Sequence, residues 1–261
     1  MKEGRKAQVT IFIIAAVVLV AIILLFLVFR KDIIPTDGGN DEVTSPGSFL
    51  ETCIKDSVYE AILDIEEQGG YINPPKSFNF KFTNEPTSVK IGYLCYTDEN
   101  KTKCINQAPM LFSHVEKEIK DYTNPVIERC FENLISKYTN EGYAIEVKHK
   151  PGDFSVEIKR KLIDIKINGE LILTKTNETT KINNFEVKVP AKIYDLIVVA
   201  QRIINDEMST CNFDISNYFK LYPKYDIELT QAPDFSEIYT IKYQDSPERF
   251  RFAIRGCTEP P

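Results

Sequence analysis

KLIDIKINGELILTK, residues 161–175, alternates apolar and polar side chains on both sides of Asn168-Gly169. A period of two is the pattern of a half-buried strand. Asn-Gly accepts the positive φ angles of a type I′ turn. The stretch therefore predicts a β-hairpin, KLIDIKI against ELILTK. Upstream, AIEVKHK (144–150), Pro151-Gly152 and DFSVEIK (153–159) predict a second hairpin. Downstream, NNFEVKVP (183–190) supplies a fifth strand. The run Lys159-Arg160-Lys161 falls inside this pattern and reads as a charged edge that resists pairing with other chains.

Helical spacing lies on both sides of these strands. Residues 191–208 place Ile193, Leu196, Ile197, Ala200, Ile203 and Ile204 on one face. Ser48 and Glu51 read as a capping box, followed by Leu50, Ile54, Val58, Ala61 and Ile65 and a stop at Gly69-Gly70. Residues 110–138 are helical in pattern. Asn124 and Pro125 predict the start of a second helix there, because proline suits the first helical position. Phe78, Phe80 and Phe82, then Val89, Ile91 and Tyr93, read as extended. IYTIKYQ and RFRFAIRG give two more strands around Asp245-Ser246-Pro247. The fold class expected is α+β, an antiparallel sheet of five to seven strands covered by helices.

The N-terminal segment sets the location. Ile11 to Phe29 contains no charge, glycine or proline. About 20 apolar residues span a bilayer core as a helix, and a secretory signal core is shorter. The division expected is a cytoplasmic tip and transmembrane helix at 1–31, a Gly- and Pro-containing linker at 32–47, and an extracytoplasmic α+β ectodomain at 48–261. Within the ectodomain, 48–142 is helix-rich and 143–261 sheet-rich, as one domain or two. The lipid bilayer is the partner expected for Ile11 to Phe29. Lys2, Arg5 and Lys6 before the span, against Arg30 and Lys31 after it, lean towards a cytoplasmic N-terminus.

Beyond residue 33 the chain carries 27 basic and 36 acidic residues, a net charge of −9. That surface argues against nucleic acid, whose phosphates need a basic partner. All six cysteines, Cys53, Cys95, Cys104, Cys130, Cys211 and Cys257, lie after the apolar run, with no CxxC spacing. An even number in an exported domain suggests disulfides. Cys95 and Cys104 close a short loop, and Cys53 and Cys130 each fall on the apolar side of a helix. Cys211 then remains for Cys257. The other reading is that some are buried thiols. Asn100 and Asn177 head two glycosylation sequons.

No motif points to catalysis. His114 and His149 have no partner at ligand spacing, and neither a phosphate-binding glycine loop nor a nucleophile elbow is present. Asp64, Glu66 and Glu67 read as the solvated side of a helix. No cofactor, metal or catalytic residue is expected.

Arg5-Lys6-Ala7-Gln8-Val9-Thr10 before the apolar run resembles the class III signals of archaeal pilins and archaellins. That resemblance implies cleavage between Ala7 and Gln8, with the apolar helix kept as a filament core. The chain departs from it at Phe12, where many pilins carry Glu, and at the early linker. Gln8 to Ile13, Cys53 and Gln68-Gly69-Gly70-Tyr71-Ile72 also resemble single-pass membrane proteins of small-genome (DPANN-type) archaea, a likeness that implies no activity. The function expected is structural or binding, at the archaeal cell surface, with a protein partner or self-association. The alternative is a pilin-like subunit.

Overall fold

The computed structural model describes Leu19 and residues 45–99, 101–149, 153–176 and 178–257. Ser45–Pro261 form a compact unit of their own. Among the described residues no helix is long and apolar enough to cross a membrane. Apart from Leu19, the apolar run at 11–29 lies outside the described residues.

The unit has an α+β fold of four helices and ten strands among its described residues. Helix α1 is Pro46–Glu67, followed by β1 (Ser77–Phe80), β2 (Val89–Tyr96) and β3 (Ile105–Asn106). Helix α2 is Leu111–Asn140. Strands β4 (Ala144–His149), β5 (Phe154–Lys159), β6 (Leu162–Lys175) and β7 (Glu178–Pro190) form one sheet. Helices α3 (Ile193–Thr210) and α4 (Ile215–Leu221) lead to β8 (Tyr225–Gln231), β9 (Glu237–Tyr243) and β10 (Arg249–Arg255).

Helix α1 begins three residues earlier than the Ser48 cap expected. Ser45 is the N-cap, its hydroxyl accepts from Ser48 N–H at 3.2 Å, and Pro46 takes the first helical turn. Proline costs nothing there because its missing N–H would have no partner anyway. The apolar stripe Leu50, Ile54, Val58, Ala61 and Ile65 is fully buried. Gly69 and Gly70 end the helix at φ 71° and 87°. Gly92 of β2 lies against Gln68 O, where a Cβ has no room.

Helix α2 does not divide at Asn124-Pro125; it runs through Pro125 as one helix of 30 residues. An interior proline costs about 3 kcal/mol. Beyond it, Ile127, Cys130, Phe131, Leu134 and Tyr138 are all buried. At roughly 1.5–3 kcal/mol for each large apolar side chain, their burial outweighs the break. Pro125 itself faces solvent.

The sheet around residues 161–175 differs from both predicted hairpins. Strand β6 runs straight through Asn168-Gly169 and pairs with β7 along its whole length. Ile167 faces Phe185 and Glu170 faces Asn183, so two residues of β6 oppose Asn184 alone, at φ 54°. The Asn-Gly pair is a β-bulge, not a turn. The turns stand at either end. Lys159 faces Leu162 across Arg160-Lys161, with Lys161 at φ 68°, and Lys175 faces Glu178 across two residues. The basic run is therefore a hairpin tip, not an edge strand. Strands β4 and β5 do not pair with each other. Both run antiparallel to β6, β4 against Glu170–Thr174 and β5 against Leu162–Ile167.

The other strands form a second sheet in the order β1-β2-β10-β9-β8, with β3 also on β2. It is mixed, because β2 and β10 are parallel. The single antiparallel sheet expected is thus two sheets, one of them mixed. A parallel pair needs a long crossover, and here α2, the β4–β7 sheet and α3 lie between the two strands in the chain. One buried apolar cluster takes in α1, α2 and α3 together with strands of both sheets.

Candidate functional site

Three cysteine pairs stand at disulfide distance: Cys53–Cys130, Cys95–Cys104 and Cys211–Cys257, with Cα separations of 6.0, 5.3 and 5.9 Å. These are the pairs that position along the chain suggests. The first ties α1 to α2, and the last ties the end of α3 to the segment after β10. Ala7 and Gln8, and the sequon residues Asn100 and Asn177, lie outside the described residues, as does the side chain of His149. His114 is half-buried against the Tyr71 ring, centroids 4.2 Å apart, with Glu118 at 3.9 Å. Burial lowers its pKa, opposed by the charge of Glu118.

Of the carboxylates at the end of α1, Asp64 is exposed as expected, but Glu66 and Glu67 are not on a solvated face. Glu66 is buried, and its pKa is raised well above the ordinary value, first by burial and then by Glu248 and Glu67. Glu67 joins a network around Arg251, which is 3 % exposed. Arg251 donates through Nη1 to Glu67 at 2.9 Å and to Glu85 at 3.0 Å, and through Nη2 to Glu85 at 2.5 Å. The Phe82 ring covers its guanidinium at 4.0 Å, and Arg249 also pairs with Glu67. Sequence spacing gives no hint of this network, because its members come from α1, β10 and the β1–β2 connection. It fastens that connection onto the sheet. A second network joins Tyr93, Asp234 and Ser236 at 2.9–3.1 Å, with Arg255 donating to Asp234 O at 2.9 Å. It closes the β8–β9 turn. In both networks opposite charges and hydrogen bonds join separate segments, so both are locks within the fold.

A different arrangement surrounds α4. Asp214 caps this helix by accepting from Asn217 N–H at 2.9 Å. None of its residues is fully buried. On either side of it the chain is anchored. Phe213 is buried and meets the Tyr239 ring edge-on, 6.3 Å between centroids at 80°. Tyr225 is buried edge-on against Tyr243 at 5.4 Å. Between these anchors, α4 leaves a groove of about 830 Å³ beside the outer face of α3 and a smaller cavity of about 230 Å³ on its β8 side.

The groove joins two kinds of surface. Phe213, Tyr218, Tyr222 and Tyr225 give it aromatic walls, and Tyr218 and Tyr222 lie 4.8 Å apart at 37°. Val198, Leu221 and Tyr222 are 43, 65 and 48 % exposed at its mouth. The polar side is Arg202, Asp206, Asn212, Asn217 and Lys224. Arg202 Nε donates to Asp206 Oδ2 at 2.9 Å. Burial pushes the Tyr218 phenol up to about 12, so it stays protonated and can donate at neutral pH. Apolar walls with a few placed polar groups are the usual make-up of a ligand site. Nothing in this arrangement pairs a nucleophile with a base.

Sequence reading passes over α4 and β8. Two signals were available: Asp214 before Ile215, Tyr218, Phe219 and Tyr222 at helical spacing, and five aromatic residues between 213 and 225. Comparison with protein-family models, with curated proteins and with solved structures gives no match.

Proposed function

We propose that this chain is a binding module held at a membrane by residues 11–29, with its compact unit outside the cytoplasm and its ligand in the groove between α3 and α4. The observation that carries the reading is the groove itself, where exposed aromatic rings and placed polar groups line one cavity. Three cysteine pairs at disulfide distance support an oxidising compartment. Two measurements test it. The first is a fragment screen by ligand-observed NMR on the full chain in lipid nanodiscs. Fragments should bind, and Leu221→Asp should weaken them at least tenfold; binding indifferent to that change removes the groove from the proposal. The second is mass spectrometry of unreduced protein from native membranes. An intact N-terminus with oxidised cysteines supports the anchored module, whereas reduced cysteines rule out the external location.

A pilin-type subunit is the second reading, favoured by Arg5-Lys6-Ala7-Gln8 ahead of the apolar run. The same spectrum decides it, since an N-terminal peptide starting at Gln8 is the product of that pathway.

A further inference from the structure

The groove carries balanced charge, Arg202 and Lys224 against Asp206 and Asp214. That balance disfavours several ligand classes. A phosphate or carboxylate would be drawn by Arg202 and Lys224 but repelled by Asp206 and Asp214, so the groove offers an anion no net charge. A lipid chain would strip water from Arg202, Asp206 and Asn217 without replacing their hydrogen bonds, which is costly for the amide and more so for the charged groups. An extended peptide would find little backbone to pair with, since only Tyr225 comes from a strand. The open mouth, with Leu221 at 65 % and Tyr222 at 48 % exposure, leaves one side of any ligand in water. A chain that continues beyond the groove fits this better than an enclosed small molecule.

We propose that the groove holds a neutral oligosaccharide. This rests on reading the groove as a binding site. A pyranose ring has a face of C–H bonds and a rim of hydroxyls. The tilted rings of Tyr218 and Tyr222 offer that face a bent apolar platform. A hydroxyl both donates and accepts, so it is matched by donors and acceptors set side by side. The Arg202–Asp206 pair is such a set. Arg202 uses Nε for Asp206, which leaves its Nη groups to donate outward while the carboxylate accepts. The Asn217 side chain adds an amide with both functions.

The test uses the full chain in lipid nanodiscs and saturation-transfer NMR. The probes are chitotetraose, mannotetraose, maltotetraose, tetragalacturonate and a proline-rich decapeptide. The expected result is binding of at least one neutral tetraose, weakened at least tenfold by Tyr222→Ala and by Arg202→Ala, and unchanged by Tyr59→Ala on α1. Leu221→Asp replaces Tyr222→Ala if that variant does not fold. Two results overturn the proposal: no neutral tetraose binds although fragments still bind in a Leu221-dependent way, or tetragalacturonate or the peptide binds more tightly than every neutral sugar. Both of these leave the groove as a binding site for another class. Absence of fragment binding as well removes the site itself.

Discussion

The Tyr239 phenol donates to Glu207 Oε1 at 2.5 Å, deep between α3 and β9, and the same phenol oxygen lies 3.5 Å from Glu237 Oε2. Two carboxyls thus share one buried phenol. Burial raises the pKa of both, and Glu207 raises that of Glu237 further. A carboxyl whose folded pKa is raised stabilises the fold most below its unfolded value, and that contribution is lost as pH rises through the folded pKa. Stability from this pair should therefore fall as pH climbs above the ordinary 4.5. Glu207→Gln should match the wild type at pH 4 and exceed it at pH 8 in urea denaturation. Equal pH slopes for the two proteins would contradict this account. Tyr239→Phe should cost about 1–3 kcal/mol by leaving Glu207 short of a donor.

Arg251 holds two carboxylates and one aromatic face at once. Removing one partner of a buried ion pair costs about 3–5 kcal/mol, so Arg251→Met should lose that much in chemical denaturation. Arg251→Lys should recover little, since an ammonium cannot bind both oxygens of Glu85 in parallel. Full recovery with lysine would mean that charge alone matters there.

The three cysteine pairs should differ in reactivity. Cys95, Cys104 and Cys130 are buried, whereas Cys211 and Cys257 are both half-exposed. Thiol exchange needs access to sulfur. Under graded reductant, alkylation and mass spectrometry should therefore find Cys211 and Cys257 labelled first. Cost should follow a different order. Cys53–Cys130 closes 77 residues and Cys95–Cys104 only 9. Loop-closure entropy puts their losses at about 4.5 and about 2.5 kcal/mol.

Pro125 sits exposed inside α2. Pro125→Ala supplies the missing N–H at a solvent-facing position, so α2 should gain about 1–3 kcal/mol. An unchanged or lower melting temperature would show that the helix has adapted to the ring.

Residues 161–175 show how far a local pattern reaches. Ile163, Ile165, Ile167, Leu171 and Leu173 are all buried and all odd-numbered. A two-residue turn at Asn168-Gly169 would have put Leu171 and Leu173 opposite Lys166 and Asp164, on the other face from the isoleucines. Parity across the Asn-Gly pair therefore marks one continuous strand, against the turn preference of Asn-Gly itself. Arg160-Lys161 carries no turn signature, and only pairing shows that the chain reverses there. The groove was partly legible. Its aromatic residues stand close together in sequence, while Val198, Arg202 and Asp206 reach it from α3.

The sequence alone determined which faces are buried. The stripes of α1 and α3 and the strands at 183–190, 238–243 and 249–255 follow from period and turn residues, and chain position suggested the three cysteine pairs without fixing them. Such signals are local, because each records one segment meeting a core without naming what lies across from it. The tertiary structure decided the partners: β10 parallel to β2, β4 and β5 both on β6, α2 unbroken at Pro125, and Arg251 enclosed by Glu67, Glu85 and Phe82. Each of these turns on a balance between distant groups, in which burial outweighs a local preference. The groove beside α4 belongs to the same class. It exists because Phe213 and Tyr225 are buried on either side of a helix that buries no residue of its own.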